Sequence, residues 1–299
     1  MKERVILRLT KKKIFNETTE KISPPKGTLF NIGSFLIKSY ELSLDYLLIQ
    51  KINYSDVYEY NGIVQLSPQP WSSYCEWHNG SLEEADDPTK RIYCPLEAEG
   101  FCSKHKRTDR AIYDLCLSYR GEIALQACKE IDKKIKGEYV VYLIDYGGEK
   151  PKVGTTRKFR ILERIAEQPH IIATELFITD SLHKARLMEM NISKDGFANE
   201  LWRHRWISTE NIYSSIIKLN SILNNISKKY SLNTEFSFFR VKQPIKIAPK
   251  LLDYNYFYNK EFKIDSYWGG YNIIYLNNQP FILPENQMLH RDSLIIEKI

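Results

Sequence analysis

The stretch that decides the fold is residues 139–191, YVVYLIDYGGEKPKVGTTRKFRILERIAEQPHIIATELFITDSLHKARLMEMN. Residues 139–144 are β-branched and aromatic, the composition of a buried strand. Residues 145–150 contain Gly147 and Gly148 and read as a hairpin turn, leading to a short strand that ends at Lys152, Val153 and Gly154. Thr155 and Thr156 are placed to cap a following helix, which carries Arg157, Lys158, Arg160 and Arg164 and stops near Pro169. Residues 171–178 make a third strand, and Asp180 and Ser181 cap a second helix that holds Glu189. The expected order is strand, turn, strand, basic helix, strand, helix, with the polar residues at element ends. A tyrosine, a glycine turn, an arginine helix and one glutamate point to phosphate chemistry.

Outward from this centre, the composition is that of a water-soluble protein. The 299 residues are 43% hydrophobic and 27% charged, with a formal net charge of +6. That length allows one large domain or two to three small ones. The mildly basic balance fits a nucleic-acid partner, DNA or RNA, without requiring one. Tyrosine is abundant, 20 against 13 glycines, which suits β-rich surfaces and could supply base-stacking platforms. No apolar run reaches the roughly 20 residues that span a bilayer, so no membrane partner is expected. The basic N-terminus lacks the apolar core of a signal peptide, and a cytoplasmic location is expected. Five cysteines, an odd number, argue against a secreted disulfide framework.

The expected fold class is α+β. Residues 1–70 alternate as antiparallel strands and predict a small sheet or barrel, with Pro68 and Pro70 at its exit. Residues 71–116 change character: Cys75, His78, Cys94, Cys102, His105 and Cys116 fall in a polar, turn-rich segment. Zinc needs four nitrogen or sulfur donors converging from short turns. The preferred set is Cys75, Cys94, Cys102 and His105, with His78 or Cys116 as substitutes, against the plainer reading of buried thiols and incidental histidines. Four protein ligands would make this zinc structural. Residues 83–87 read as a solvated acidic loop. Residues 117–230 hold the central α/β domain with flanking helices, Cys128 belonging to an apolar face. Within it, residues 199–206 (NELWRHRW) interleave aromatics with Arg203, His204 and Arg205, either a phosphate-and-stacking patch or a helix with its tryptophans inward. Residues 208–229 form an amphipathic helix. Residues 231–299 return to strands, with Asn277 and Asn278 in a tight turn and Gly269 and Gly270 at a bend or bulge.

The pattern VVY at 140–142, KVG at 152–154, Arg164 and Glu189 resembles the GIY-YIG nuclease superfamily over about 55 residues. It is also similar, along most of the chain, to a family of archaeal and bacterial proteins carrying a domain of unknown function. That likeness rests on a cysteine-rich region, Tyr142-Leu143, residues 152–157 (KVGTTR), Arg164 with Gln168, and a terminal G-G-Y-x4-L at 269–276. The superfamily resemblance implies that Tyr142 helps activate or hold the attacking water and that Gly154 lets backbone approach a phosphate. It implies that Arg164, or Arg160, stabilises charge on phosphoryl oxygens and that Glu189 binds Mg2+. Lys152 stands where the second motif usually has tyrosine, and it would activate water or bind phosphate. Arg157, Lys158 and Arg160 complete the phosphate-binding set. A metal-dependent endonuclease is the implied activity; the alternatives are a non-catalytic nucleic-acid binder on the same frame and a protein-interaction scaffold.

Overall fold

The computed structural model describes residues 2–26, 33–66, 72–82, 86–201, 207, 211–232, 235–245, 248–258 and 260–296. The first elements are β1 (Lys2–Ile22), β2 (Phe35–Lys51), β3 (Val57–Tyr60), β4 (Ile63–Leu66), α1 (Asp109–Ser118) and α2 (Gly121–Lys134). The centre supplies β5 (Tyr139–Asp145), β6 (Lys152–Arg157), α3 (Ile161–Ala166), β7 (Ile172–Thr179), α4 (Leu182–Lys194) and α5 (Ile212–Tyr230). Then come β8 (Phe238–Val241), β9 (Lys250–Leu251), β10 (Glu261–Phe262), β11 (Ile264–Trp268), β12 (Tyr271–Leu276), β13 (Gln279–Pro284) and β14 (Asp292–Ile296). The class is mixed α+β.

Two compact units form, each discontinuous in sequence. Unit 1 is Met1–Lys13, Ser43–Tyr119 and Pro249–Ile299; unit 2 is Ile14–Leu42 and Arg120–Ala248. The sequence reading divided the chain into four consecutive segments. The difference arises because β1 and β2, at 21 and 17 residues, are each long enough to serve both units.

Unit 1 builds one sheet in the order β10-β4-β14-β1, with β3 paired to β2, and a second in the order β11-β12-β13-β9. Strand alternation explains how its core is filled. Val5, Leu7, Leu47 and Ile49 point into a cluster with Ile264, Ile274, Phe281 and Leu283. Leu48 and Tyr46, from the opposite face of β2, pack instead with Tyr93 and Val57. Arg8 and Gln50 share that second face by the same alternation and are also buried. Gly269 and Gly270 form the two-residue turn of the β11–β12 hairpin, both at positive φ, while the bulge lies between Ile264 and Ser266. Asn277 and Asn278, at φ 50° and 62°, make the next hairpin turn. Pro68, Pro70 and Trp202–Trp206 lie outside the described residues, as do residues 83–85 of the acidic loop. The loop's remaining acids have partners: Asp86 pairs with Arg91 at 2.7 Å and Asp87 caps Thr89.

Unit 2 orders its strands β2-β8-β7-β5-β6. Every residue of β5 is buried, as expected of a central strand covered on both faces. Its pairing with β6 runs from Tyr139 opposite Arg157 to Ile144 opposite Lys152. Thr155 and Thr156 are therefore strand residues, opposite Val141 and Val140, and not helix caps; Arg157 takes the position before the turn that follows. Residues 158–160 follow as a single 3-10 turn, and α3 is only six residues long. The basic helix of the sequence reading is thus split into strand end, turn and helix. Glycine lacks a side chain where the strand needs it: a Cβ on Gly154 would collide with the ring of its cross-strand partner Tyr142.

Candidate functional site

In unit 1 the turns of residues 72–106 carry the Cys/His set. Cys75 is held by its amide on the Leu96 carbonyl at 3.0 Å and Cys94 by its amide on the Trp77 carbonyl at 3.2 Å. His105 and Lys106 both donate their amides to the Cys102 carbonyl at 2.9 Å, closing a tight turn that brings Cys102 and His105 together. The ligand atoms of Cys75, Cys94, Cys102 and His105 all lie within 4.8 Å of one another, close enough to hold one metal ion. Nδ1 of His105 is 3.7 Å from Sγ of Cys75 and 3.3 Å from Sγ of Cys102. A tetrahedral zinc with ordinary bond lengths separates sulfur and nitrogen ligands by about 3.5 Å, so the donor set and spacing fit that ion. Trp77 stacks on the imidazole of His105 with ring centroids 4.3 Å apart, fixing the ring plane.

The electrostatics also suit a cation. Burial pushes the Cys75 thiol up to about 11, so its thiolate needs a positive neighbour. Burial, with Lys104 nearby, lowers His105 and favours the neutral ring that binds metal. Behind the ligands, Arg8 donates to the carbonyls of Cys75 at 2.9 Å and Cys94 at 2.8 Å, and to Oε1 of Gln50 at 2.6 Å. Three thiolates around a divalent ion leave one net negative charge, and the buried guanidinium complements it. Burial lowers Arg8 to about 10, which leaves it charged at neutral pH. His78 stands apart from the four: its Nδ1 accepts from the Gly80 amide at 3.0 Å and its ring tilts against Tyr93. Cys116 is buried and outside the set, as is Cys128 on the buried stripe of α2.

In unit 2 the residues singled out in sequence are placed as follows. Register puts Tyr142 opposite Gly154 and Lys152 two residues along the same face. The Tyr142 hydroxyl accepts from Nε2 of Gln168 at 2.9 Å. Lys152 is only 7% exposed. Burial lowers its pKa; Tyr142 and Glu189 oppose that shift, while Arg164 and Arg186 reinforce it. Those five side chains therefore share one electrostatic neighbourhood. Arg164 contacts Glu167 at 2.9 Å, and although burial opposes its charge, Tyr142 and Glu167 together raise its pKa. Glu189 is 4% exposed and ion-paired to Arg186 at 2.5 Å.

The remaining cations are engaged elsewhere. Arg157 is 2% exposed, lying 4.8 Å over the Tyr139 ring and donating to the Lys136 carbonyl. Lys158 pairs with Glu175, and Arg160 with Glu163 and Glu167 at 3.4 Å. Glu167 serves both Arg160 and Arg164, and Glu163 also serves Arg160, so these two arginines are matched by two carboxylates. Sequence reasoning missed Arg186, although its position gave a signal: it falls with Leu182, Ala185, Glu189 and Ile192 on the buried stripe of α4, where apolar residues belong. It missed Arg8 too, a charge inside the buried run of β1.

No protein-family model, curated protein or solved structure matches this chain. Its function is read from these two clusters. Among the described residues, no helix is long and apolar enough to cross a membrane.

Proposed function

We propose that this protein binds nucleic acid through the cationic cluster of unit 2 and carries a structural zinc in unit 1. The observation behind the first part is the basic set of this unit: Arg157, Lys158, Arg160, Arg164 and Arg186, five cations, meet four carboxylates, Glu163, Glu167, Glu175 and Glu189, before Lys152 is counted. Such a cluster attracts phosphate, and Arg164, 42% exposed at its side chain, has the guanidinium geometry to meet it. The resemblance to the GIY-YIG frame and the net charge of +6 agree with this partner. The three-cysteine, one-histidine set favours zinc over harder cations, which prefer oxygen ligands.

A Mg2+-dependent hydrolase is the second reading, favoured by the order of Tyr142, Lys152, Arg164 and Glu189 along the chain. The Mg2+ does not fit the site well. The carboxylate that would hold it is buried and neutralised by Arg186, whereas magnesium takes carboxylates that keep several waters. Binding without metal-dependent hydrolysis is thus the reading that the geometry favours. The test is titration of labelled single-stranded, nicked and branched DNA and RNA at several salt concentrations, with and without magnesium. Affinity should fall steeply with salt, and Glu189→Ala, which removes a counter-charge and no phosphate contact, should not weaken it. Salt-independent affinity would overturn the binding reading. Magnesium-dependent cleavage by wild type and not by Glu189→Ala would establish the hydrolase instead.

A further inference from the structure

Lys152 differs from the other cations of the cluster in what surrounds its amine. Arg164, Arg186, Arg160 and Lys158 each have a carboxylate partner. Lys152 is more than nine-tenths buried, and among the described residues neither a hydrogen bond nor an ion pair engages its Nζ. The Tyr142 ring lies 5.8 Å from Nζ to centroid. A buried amine that makes no ion pair, with two guanidinium groups nearby and Glu189 engaged by Arg186, is pushed toward the uncharged, nucleophilic form. The backbone holds it there: Lys152 bridges to Asn199, whose carbonyl accepts from the Val153 amide at 2.8 Å and whose own amide donates to the Pro151 carbonyl.

We propose that Lys152 is an imine-forming nucleophile, and that the carbonyl it takes is the aldehyde of an abasic site in DNA. The choice of aldehyde rests on the nucleic-acid reading above. The lysine's amine adds to C1′ of the ring-opened sugar, and the carbonyl oxygen departs as water after gaining two protons, leaving a protonated imine. That cation draws the C2′–H electrons inward. The C2′ proton passes to water, the C3′–O bond breaks, and the 3′ phosphate leaves with the electron pair as a C2′–C3′ double bond forms. Arg164 is placed to receive the charge on the departing phosphate. Water added at the imine carbon returns the free amine and an unsaturated aldehyde. One water is released and one consumed, and neither a metal nor a redox partner is needed. The route suits a cluster in which Arg186 occupies the carboxylate of Glu189.

The experiment incubates full-length, natively purified protein, with no added magnesium and no chelator, with a labelled duplex containing one abasic site, and adds borohydride to reduce any imine. A covalent protein–DNA band is expected from wild type and should be lost in both Lys152→Arg and Lys152→Met. Two variants are used so that a folding defect in one leaves the other to decide. Wild-type binding to the same duplex without the abasic site is measured in parallel across salt concentrations. Salt-sensitive binding with no trapped band would overturn the proposal and leave the nucleic-acid reading standing. Neither binding nor trapping would remove both. A band that persists in the Lys152 variants would assign the reaction to another amine and overturn the role of Lys152.

Discussion

Single residues in this protein often do work that their type alone would not predict. His170 is buried between the Gln168 carbonyl, 2.7 Å from Nδ1, and the Val241 amide, which donates to Nε2 at 3.0 Å. The first contact requires a proton on Nδ1 and the second a lone pair on Nε2, so the ring is neutral. Burial lowers its pKa to about 4 from the ordinary 6.5. A lowered base binds fewer protons folded than unfolded, so its contribution to stability is present above pH 6.5 and is lost as pH falls toward 4. The loss is on the order of 3 kcal/mol. Urea unfolding of wild type and His170→Gln across this window should show the variant with the shallower pH slope. Parallel slopes would mean that His170 is not the titrating group. Because Gln168 also holds the Tyr142 hydroxyl, the same histidine fixes one wall of the cationic cluster.

At the scale of elements, α4 shows how a helix is aimed. Its first turn is capped twice. Ser181 accepts from the Lys184 amide at 3.1 Å, and Asp132 of α2 accepts from the amides of Leu182 at 2.7 Å and His183 at 3.0 Å. The Ser181 hydroxyl donates to the same carboxylate at 2.6 Å. Asp132 thereby ties α2 to α4 and satisfies donors that a helix start leaves open. Asp132→Ala should cost about 1–2 kcal/mol, read as a lower urea midpoint, with Asp132→Asn intermediate. An unchanged midpoint would show that water caps the helix equally well. The serine cap is legible in sequence, where Asp180 and Ser181 precede an amphipathic run. The aspartate is not, because it sits 50 residues upstream of Leu182 on another helix.

For the whole molecule, the metal set has its largest effect on unit 1. Among the described residues, positions 72–82 and 86–106 contain isolated bridges and a 3-10 turn, with no long strand or helix to hold them. What holds them, among the described residues, is Arg8, backbone contacts and the converging ligand set, which a bound metal ion would lock. Natively purified protein should contain about one zinc per chain, the count for a single four-ligand site. Chelation, or Cys102→Ser, should remove it and open the remaining ligand cysteines to thiol reagents. Intact thiols with no bound metal would exclude the site. Much of this architecture was written locally. Periodicity marked β5, β7, α4 and α5, and Asn277-Asn278 marked a hairpin turn, whereas Gly269-Gly270, read as a bend or bulge, proved to be a hairpin turn as well. Ligand type and spacing brought out Cys75, Cys94, Cys102 and His105. Local patterns carry that information because strand alternation, helix periodicity and turn chemistry depend on neighbours a few residues away. Only the tertiary structure decided that Arg8 would grip carbonyls 67 and 86 residues distant, that Arg186 would pair with Glu189, and that Lys152 would be buried without an ion pair among the described residues. These are pairings across the fold, and a side chain's charge reveals a partner only when packing has removed the water that would otherwise serve as one.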